Sequence, residues 1–519
     1  EDGGEAGLHP SNIHDNAYAV GTLDLTGDQS ILLGPDGPSL GGFVCSVTTA
    51  KGEMWKLGQL HPGDKVHFRL LDLDQAKEIR EAEEANLRHE YQEVVLPEQK
   101  DLDYHYAILA EETAAGTKIV ARLDGEDNIL VEYGEMELDI AIRFRVHVLM
   151  QELKKKDLPV IDLTPGIRSL QIHFDIEKIS LKEMLAAVLE TNRTLPELSD
   201  VTVPSRIIWL PLSWDDPQTQ LAAKRYQQTV RPNAPWCPSN PEFIRRINGL
   251  DSIEDVKKIV FDADYLVLGL GDVYLGAPVA TPVDPRHRMV TTKYNPARPW
   301  TPENAVGIGG AYLCVYGMEG PGGYQFVGRT IQMWNPLKET EYFKHGKPWL
   351  LDFFDQIRFY PVSAEEILKD REDFLRGRFK IKIEETSFNL GKYQEFLKEH
   401  EDTIRVFKDH QEASFEAERK MWKEKGLDEF DSETQDAPAI VEETVPDGCE
   451  AARTNIPGSV WKVLVEDGQK VREGDTLVIL ESMKMEFPVT AEYSGTIEKV
   501  YLKPGEQVNS GQLAASIRV

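Results

Sequence analysis

The alternation of apolar and polar residues is most regular at the C-terminal end of the chain. Between residues 453 and 519, short β-type runs (Val460–Val465, Thr476–Leu480, Thr496–Leu502, Leu513–Val519) are separated by the polar turns Asp467-Gly468 and Pro504-Gly505. Gly468, Val471 and Gly474 recur 37 positions later as Gly505, Val508 and Gly511. Glycine at fixed turn positions, with Val, Ile and Leu between, predicts paired hairpins. Two such halves form a flattened β-sandwich. Residues 104–204 alternate differently. Tyr106–Leu109, Asn128–Tyr133 and Leu170–Phe174 are strand-like, while Asp139–Leu153 and Leu181–Leu189 have helical spacing, which predicts a small α+β unit. Residues 205–350 return to short apolar runs, among them Ile207–Leu212 and Tyr265–Leu270. Glycines then cluster at 307, 309, 310, 317, 320, 322, 323 and 328. This pattern predicts a β-barrel with long functional loops.

The remaining segments complete the outline. In residues 351–426, Tyr393, Phe396, Leu397, Ile404, Phe407, Phe415 and Trp422 mark one apolar face of a single long amphipathic helix. Residues 1–75 mix Gly/Pro turns with short apolar runs and end in the β-like Lys65–Leu70, as expected for the closing part of a β-rich lobe. Gln75–Val95 lacks Gly and Pro and is rich in Glu, Lys, Arg and Ala, which predicts a connecting helix within 76–103. Residues 427–450 hold nine acidic residues and no Lys or Arg. The stretch 427–452 therefore reads as a self-repelling flexible tether, with an r.m.s. span of roughly 5.5 Å × √26, about 28 Å.

Composition narrows the function classes. With 519 residues, several domains are expected. The net charge of −30 argues against nucleic acid or an anionic membrane as a partner, since phosphate binding needs clustered Lys and Arg. No apolar run approaches the roughly 20 residues that span a bilayer. Cys45, Cys237, Cys314 and Cys449 are far apart, which fits free thiols in a reducing, cytoplasmic compartment. The chain opens Glu1-Asp2-Gly3-Gly4 and is expected to be a segment of a longer polypeptide. Gly269-Leu270-Gly271 lacks the third glycine of a dinucleotide fingerprint, and there is neither a phosphate loop nor a GxSxG elbow. His287, between Arg286 and Arg288, reads as a loop residue, and no metal is expected.

One motif carries specific chemistry. Glu481-Ser482-Met483-Lys484-Met485-Glu486 falls where the two halves of the repeat join. It resembles the attachment motif of biotin carboxyl carrier domains, with Lys484 as the covalent site and Glu481, Met483 and Met485 as its context. Lipoyl domains share this fold but usually flank the lysine with Asp and Ala. A second resemblance lies in the loops: Pro235-Trp236-Cys237-Pro238, Gly269-Leu270-Gly271-Asp272, Thr291-Thr292-Lys293-Tyr294-Asn295-Pro296, Asn304 to Gly310, and Gly317 to Arg329. Together with His9-Pro10-Ser11-Asn12-Ile13-His14-Asp15 and Gly41-Gly42-Phe43, these resemble the carboxyltransferase half of urea carboxylases, as found in fungal urea amidolyases. The resemblance covers nearly the whole chain. It implies a mainly β fold with α+β parts: two cyclophilin-like β-barrel lobes, a small α+β subdomain, a helical segment and a biotinyl β-sandwich.

It also implies a reaction. Carboxybiotin on Lys484 would pass its carboxyl group to urea, giving allophanate. ATP, Mg and bicarbonate would be used only by a biotin carboxylase domain elsewhere in the same polypeptide, joined in the fungal arrangement by an allophanate hydrolase domain. Biotin protein ligase would load Lys484. A urea N–H is too weakly acidic for a carboxylate or imidazole to deprotonate outright. The stronger base is the biotin ureido nitrogen freed when CO₂ is released in a dry pocket, so the protein's task is placement and oxyanion stabilisation. Urea offers one acceptor and four donors. The residues expected to meet it are Asn12, Asp15, Lys293, Tyr294, Asn304, Tyr324, Gln325 and Arg329, with backbone amides of Gly309, Gly310, Gly322 and Gly323 as oxyanion donors. If Asp15 rather than Asn16 faces the pocket, charge-assisted pairing would favour guanidine as the acceptor. A 5-oxoprolinase-like enzyme or a regulatory binding protein is the alternative of another class, against which the fused carrier argues.

Overall fold

Strand Thr202–Trp214 organises the centre of the molecule. Its first half pairs antiparallel with Lys382–Asn389, its middle pairs in parallel with Gln356–Val362, and its end pairs antiparallel with Gln325–Arg329 through Ser213↔Arg329 and Trp214↔Gly328. From there the ladder runs through Ala305–Gly309, Tyr312–Val315, Ala277–Pro282 and Tyr265–Gly271 back to Gln356–Val362. Seven strands thus close a barrel and Lys382–Asn389 lies outside it. Ile208, Leu210, Leu212, Val267, Val306, Leu313, Val327 and Ile357 fill its core, at 0% exposure. The structure, a computed structural model, describes residues 12–26, 29–35, 37, 40–61, 64–92, 95, 98–99, 101–114, 116–271, 276–428, 445–446, 448–456, 458–482 and 485–519.

Two further sheets flank the barrel. Asn12–Ala17, Leu40–Thr48, Thr22–Thr26 and Gln29–Leu32 form a four-stranded antiparallel sheet in that order. Gly41 in this sheet has no room for a side chain, because the Tyr18 ring lies across it. The Tyr18 hydroxyl accepts from the Phe43 amide at 2.7 Å, which ties the end of the first strand to the strand beside it. The α+β subdomain is a five-stranded antiparallel sheet (Ile108–Ala114, Thr117–Leu123, Asn128–Tyr133, Ser169–Phe174, Val160–Pro165). Helices Ile140–Lys154 and Leu181–Arg193 pack on it, burying Val146, Leu149, Met184 and Val188. The second helix opens with a capping box in which Ser180 and Glu183 satisfy each other's amides.

Several expectations are corrected. Lys65–Leu70 forms no strand; Val66 and Phe68 are about half exposed on an extended segment with no ladder partner among the described residues. The connecting helix is Leu73–Leu87, shorter than 76–103 and capped by Asp72 and Gln75. The segment 351–426 is not all helical. Gln356–Val362 is a barrel strand whose Ile357 and Phe359 point inward, so the barrel extends past 350. Lys382–Asn389 is a charge-rich strand whose composition imitates a helix. The single long helix is two, Leu390–Glu399 and Glu401–Lys425, which meet at His400. One face is nevertheless buried: Gln411 donates to Asn248 and the Arg288 carbonyl, and Trp422 stacks on Phe243 and edges onto Trp236 at 5.9 and 6.1 Å.

The C-terminal domain reproduces the repeat in three dimensions. Gly458–Val463, Lys470–Val471 and Thr476–Ser482 recur at the same 37-residue spacing as Gly495–Val500, Gln507–Val508 and Leu513–Arg518. Gly468, Gly474, Gly505 and Gly511 all have φ between +84° and +88°. Side chains rarely adopt this region, which explains why the glycines repeat. The two four-stranded sheets enclose Val460, Leu477, Leu480, Ile497, Ala515 and Ile517. No helix among the described residues is long and apolar enough to cross a membrane.

Candidate active site

The N-terminal sheet, the α+β subdomain and the barrel meet at one junction. His14 of strand Asn12–Ala17 reaches across the chain: its Nδ1 lies 2.5 Å from the Tyr312 hydroxyl at the start of barrel strand Tyr312–Val315. Asn16, two residues on, accepts a hydrogen bond from Ser169 of the subdomain. Leu40 packs among Val279, Val290, Tyr312 and Tyr324 of the barrel side. Lys293 closes the junction, its ammonium 4.8 Å from the Phe43 ring centroid and 5.9 Å from that of Tyr324. One aromatic wall therefore comes from each side of the junction.

Electrostatics set the protonation states here. His14 is 2% exposed, and burial lowers its pKa to about 4, with Arg168 and Lys293 adding to the effect. It is a neutral imidazole near neutral pH. Asp24, 4% exposed on strand Thr22–Thr26 of the same sheet, is pushed up to about 6 by burial, opposed by Lys293. Its Oδ1 has no hydrogen-bond partner among the described residues. Asp124, held by Gln171 and Thr48, is likewise raised to about 6 by burial. A buried polar atom without a partner is costly in a finished core and is expected where a ligand completes the site.

The residues singled out from sequence separate into groups. Lys293, Tyr324, Gly309 and Gly323 come together at the junction. Added atoms at Gly309 would overlap the Tyr324 ring, and at Gly323 they would contact the Lys293 stem. Gln325 lies just behind: its amide donates to the Thr292 carbonyl at 3.0 Å, and its Oε1 is unpartnered among the described residues. Gly310 differs, because its N–H donates to Thr291 at 3.0 Å and is already spent. Gly322 lies in a ladder opposite Arg298, against Thr301 and Tyr316. Tyr294 is 4% exposed and exchanges hydrogen bonds with Asn240 inside an aromatic cluster with Tyr226 and Trp236.

Asn304 and Arg329 sit at the other end of the barrel strands. Ile308 pairs with Gln325, but Ala305 pairs with Arg329. Three residues along a strand are about 10 Å. There Asn304 accepts from Arg371 at 2.8 Å, and Arg329 donates to the Glu303 carbonyl at 2.8 Å. Asn12 and Asp15 are positions of the His14 strand whose side chains lie outside what the structure describes. His14, Asp24, Phe43 and Tyr312 were not among the residues expected to meet the substrate, although His14 and Phe43 stand in the motifs of the first lobe. Their partners are remote along the chain, His14 and Tyr312 being 298 residues apart. The local signals were the His14-Asp15-Asn16 run at the start of the first sheet and Gly41-Gly42-Phe43.

The C-terminal hairpin is the second functional element. Strands Thr476–Ser482 and Met485–Thr490 pair with Ser482 opposite Met485, so Met483 and Lys484 are the two-residue connection. Both lie outside the described residues. Among the described residues no group of three His, Cys, Asp or Glu side chains is arranged to hold a metal ion.

Family models match three parts of the chain: "Carboxyltransferase domain, subdomain A and B" over 2–70, "Carboxyltransferase domain, subdomain C and D" over 119–343, and "Biotin-requiring enzyme" over 444–517. The crystal structure of the Kluyveromyces lactis urea carboxylase superposes with a TM-score of 0.83 and 38% identity, over 99% of this chain and 45% of that one. The chain belongs to the biotin-dependent carboxyltransferases. The urea amidolyase of Lachancea kluyveri is 38% identical over 527 residues, which is all of this chain and 28% of that protein. This chain thus spans under a third of that curated relative. Its last domain is also 44% identical, over 68 residues, to a biotinylated protein of Mycobacterium leprae, covering 96% of it. The C-terminal domain is accordingly a biotin-attachment domain. The junction of the three modules falls between the two carboxyltransferase segments of the family.

Proposed function

We propose that this chain carries out the second half of a urea carboxylase reaction, moving a carboxyl group from biotin on Lys484 to urea to form allophanate. The whole-chain likeness to a urea carboxylase, with both carboxyltransferase segments and the carrier in the same order, supports this reading. The first half, driven by ATP with Mg and bicarbonate, belongs to a biotin carboxylase domain of the same polypeptide. Biotin supplies a carboxyl group already activated on nitrogen and, once that group has left, a basic ureido nitrogen.

The chain's own residues do the rest. Lys293 faces the transferred carboxyl group and offsets its negative charge. Phe43 and Tyr324 line the ammonium and exclude water, which strengthens that interaction. The neutral His14–Tyr312 pair holds a proton at the Tyr312 oxygen or the His14 ring and orients an N–H of the substrate. Asp24 accepts from a second N–H through its unpartnered Oδ1. Lys293 already compensates the Asp24 charge, and guanidinium, always cationic, would need a carboxylate left uncompensated. That balance favours neutral urea. The test uses the biotinylated chain supplied with a biotin carboxylase, ATP and bicarbonate, and compares carboxylated products from urea, guanidine and acetamide. Allophanate from urea is expected, with loss of product and of streptavidin binding in Lys484→Arg. Product from guanidine alone would overturn the choice of substrate.

A further inference from the structure

The carrier domain rests against the carboxyltransferase helix Pro217–Thr229 at two points. Arg225 of this helix donates from Nε to a Glu481 carboxylate oxygen at 2.7 Å. Glu481 is 7% exposed and stands three residues before Lys484. The Arg225 guanidinium also lies 4.9 Å from the Trp461 ring of the carrier and 5.9 Å from the Trp300 ring of the carboxyltransferase. One cation is thus flanked by an indole from each module. At the second point the carrier turn at Gly505, φ +88°, presses on the helix end. A side chain there would run into the Gln228 carbonyl.

We propose that Arg225 is the positioning residue by which the carboxyltransferase recognises and seats the carrier hairpin, with Glu481 as its counterpart. This rests on the reading that the carrier delivers to the Lys293 junction. The physical case is one of charge. A buried carboxylate without its cation is strongly unfavourable, whereas the released carrier exposes Glu481 to water. The seat therefore accepts a hairpin with an acid at this position and rejects one without it. Arg225 keeps Trp300 when the carrier leaves, so it stays partly ordered for the next arrival. The planar guanidinium matters because it bonds the carboxylate edge-on while its faces meet the rings, which an ammonium cannot do.

The test is hydrogen–deuterium exchange on the full biotinylated chain, following peptides that cover Pro217–Thr229 and Gly458–Val463. Arg225→Glu should raise exchange in both at least about tenfold and leave streptavidin binding unchanged, showing an intact carrier. Arg225→Lys should recover only part of the protection. The exchanged pair Arg225→Glu with Glu481→Arg should restore protection to within about twofold of the wild type. Wild-type protection in Arg225→Glu, or equal protection in Arg225→Lys and the wild type, overturns the proposal. So does failure of the exchanged pair to restore protection while its carrier peptides outside the contact keep wild-type exchange. None of these readings requires turnover. Absence of allophanate from the wild type with the exchange pattern intact would count against the proposed function alone.

Discussion

His14 offers the sharpest test of the junction. Its ordinary pKa of 6.5 falls to about 4 in the folded protein. Because the folded value is depressed, the buried neutral ring costs nothing above pH 6.5. Below it the unfolded chain takes up a proton that the folded chain refuses, so stability falls as pH drops from 6.5 towards 4. At 1.36 kcal/mol per unit, the shift of two and a half units amounts to about 3 kcal/mol, complete near pH 4. Replacing His14 with Gln removes this term while keeping a hydrogen-bonding group near Tyr312. Two measurements apply. Chemical denaturation of wild type and His14→Gln at pH 7 and pH 4.5 should show the wild type losing more by about 2–3 kcal/mol. Carbon-13 NMR of the histidines, assigned by the resonance missing from His14→Gln, should place His14 near 4. A midpoint at 6 or above, or identical acid sensitivity in the two proteins, would falsify the neutral buried pair and with it the proposed role in holding the proton.

Three further outcomes follow from the packing. Lys293→Met should lower carboxyl transfer about a hundredfold, the scale of losing one oxyanion-stabilising group, in a protein that circular dichroism shows still folded. Gly309→Ala should displace the Tyr324 ring and cost about 1–3 kcal/mol, read as a lowered denaturant midpoint; an unchanged midpoint would show that the ring is free to move. Trp422→Ala should cost about 3–5 kcal/mol in the same assay, since it removes a buried indole with two ring partners, and a loss below about 1 kcal/mol would contradict the anchoring of the last helix.

Legibility in the sequence tracks how local the determining interactions are. The carrier was readable because its glycines answer to backbone geometry at each turn, and the strand Asn128–Tyr133 and helix Ile140–Lys154 because their periods are internal. Gln356–Val362 was missed because its place is fixed by a parallel neighbour some 150 residues earlier, which leaves no local trace. Lys293 and Tyr324 could be named from loop motifs, since both belong to the barrel's own loops. His14 and Asp24 could not, because each acquires its environment only when the first sheet docks on Tyr312 and Lys293. Tyr294, equally conspicuous in its motif, is consumed by the aromatic core.

The two-fold repeat has a mechanical consequence. Cys449 pairs with Arg518, and the 37-residue repeat relates these positions to Glu486 and Glu481, the paired residues just inside the attachment hairpin. The chain therefore enters the sandwich at the end opposite the attachment hairpin. Under the proposed function the domain would act as a lever with its pivot at one tip and its load at the other. Six residues of strand make that lever about 20 Å long. A modest rotation at the pivot sweeps the load through an arc that a lysine side chain alone, or a tether fastened beside it, could not cover.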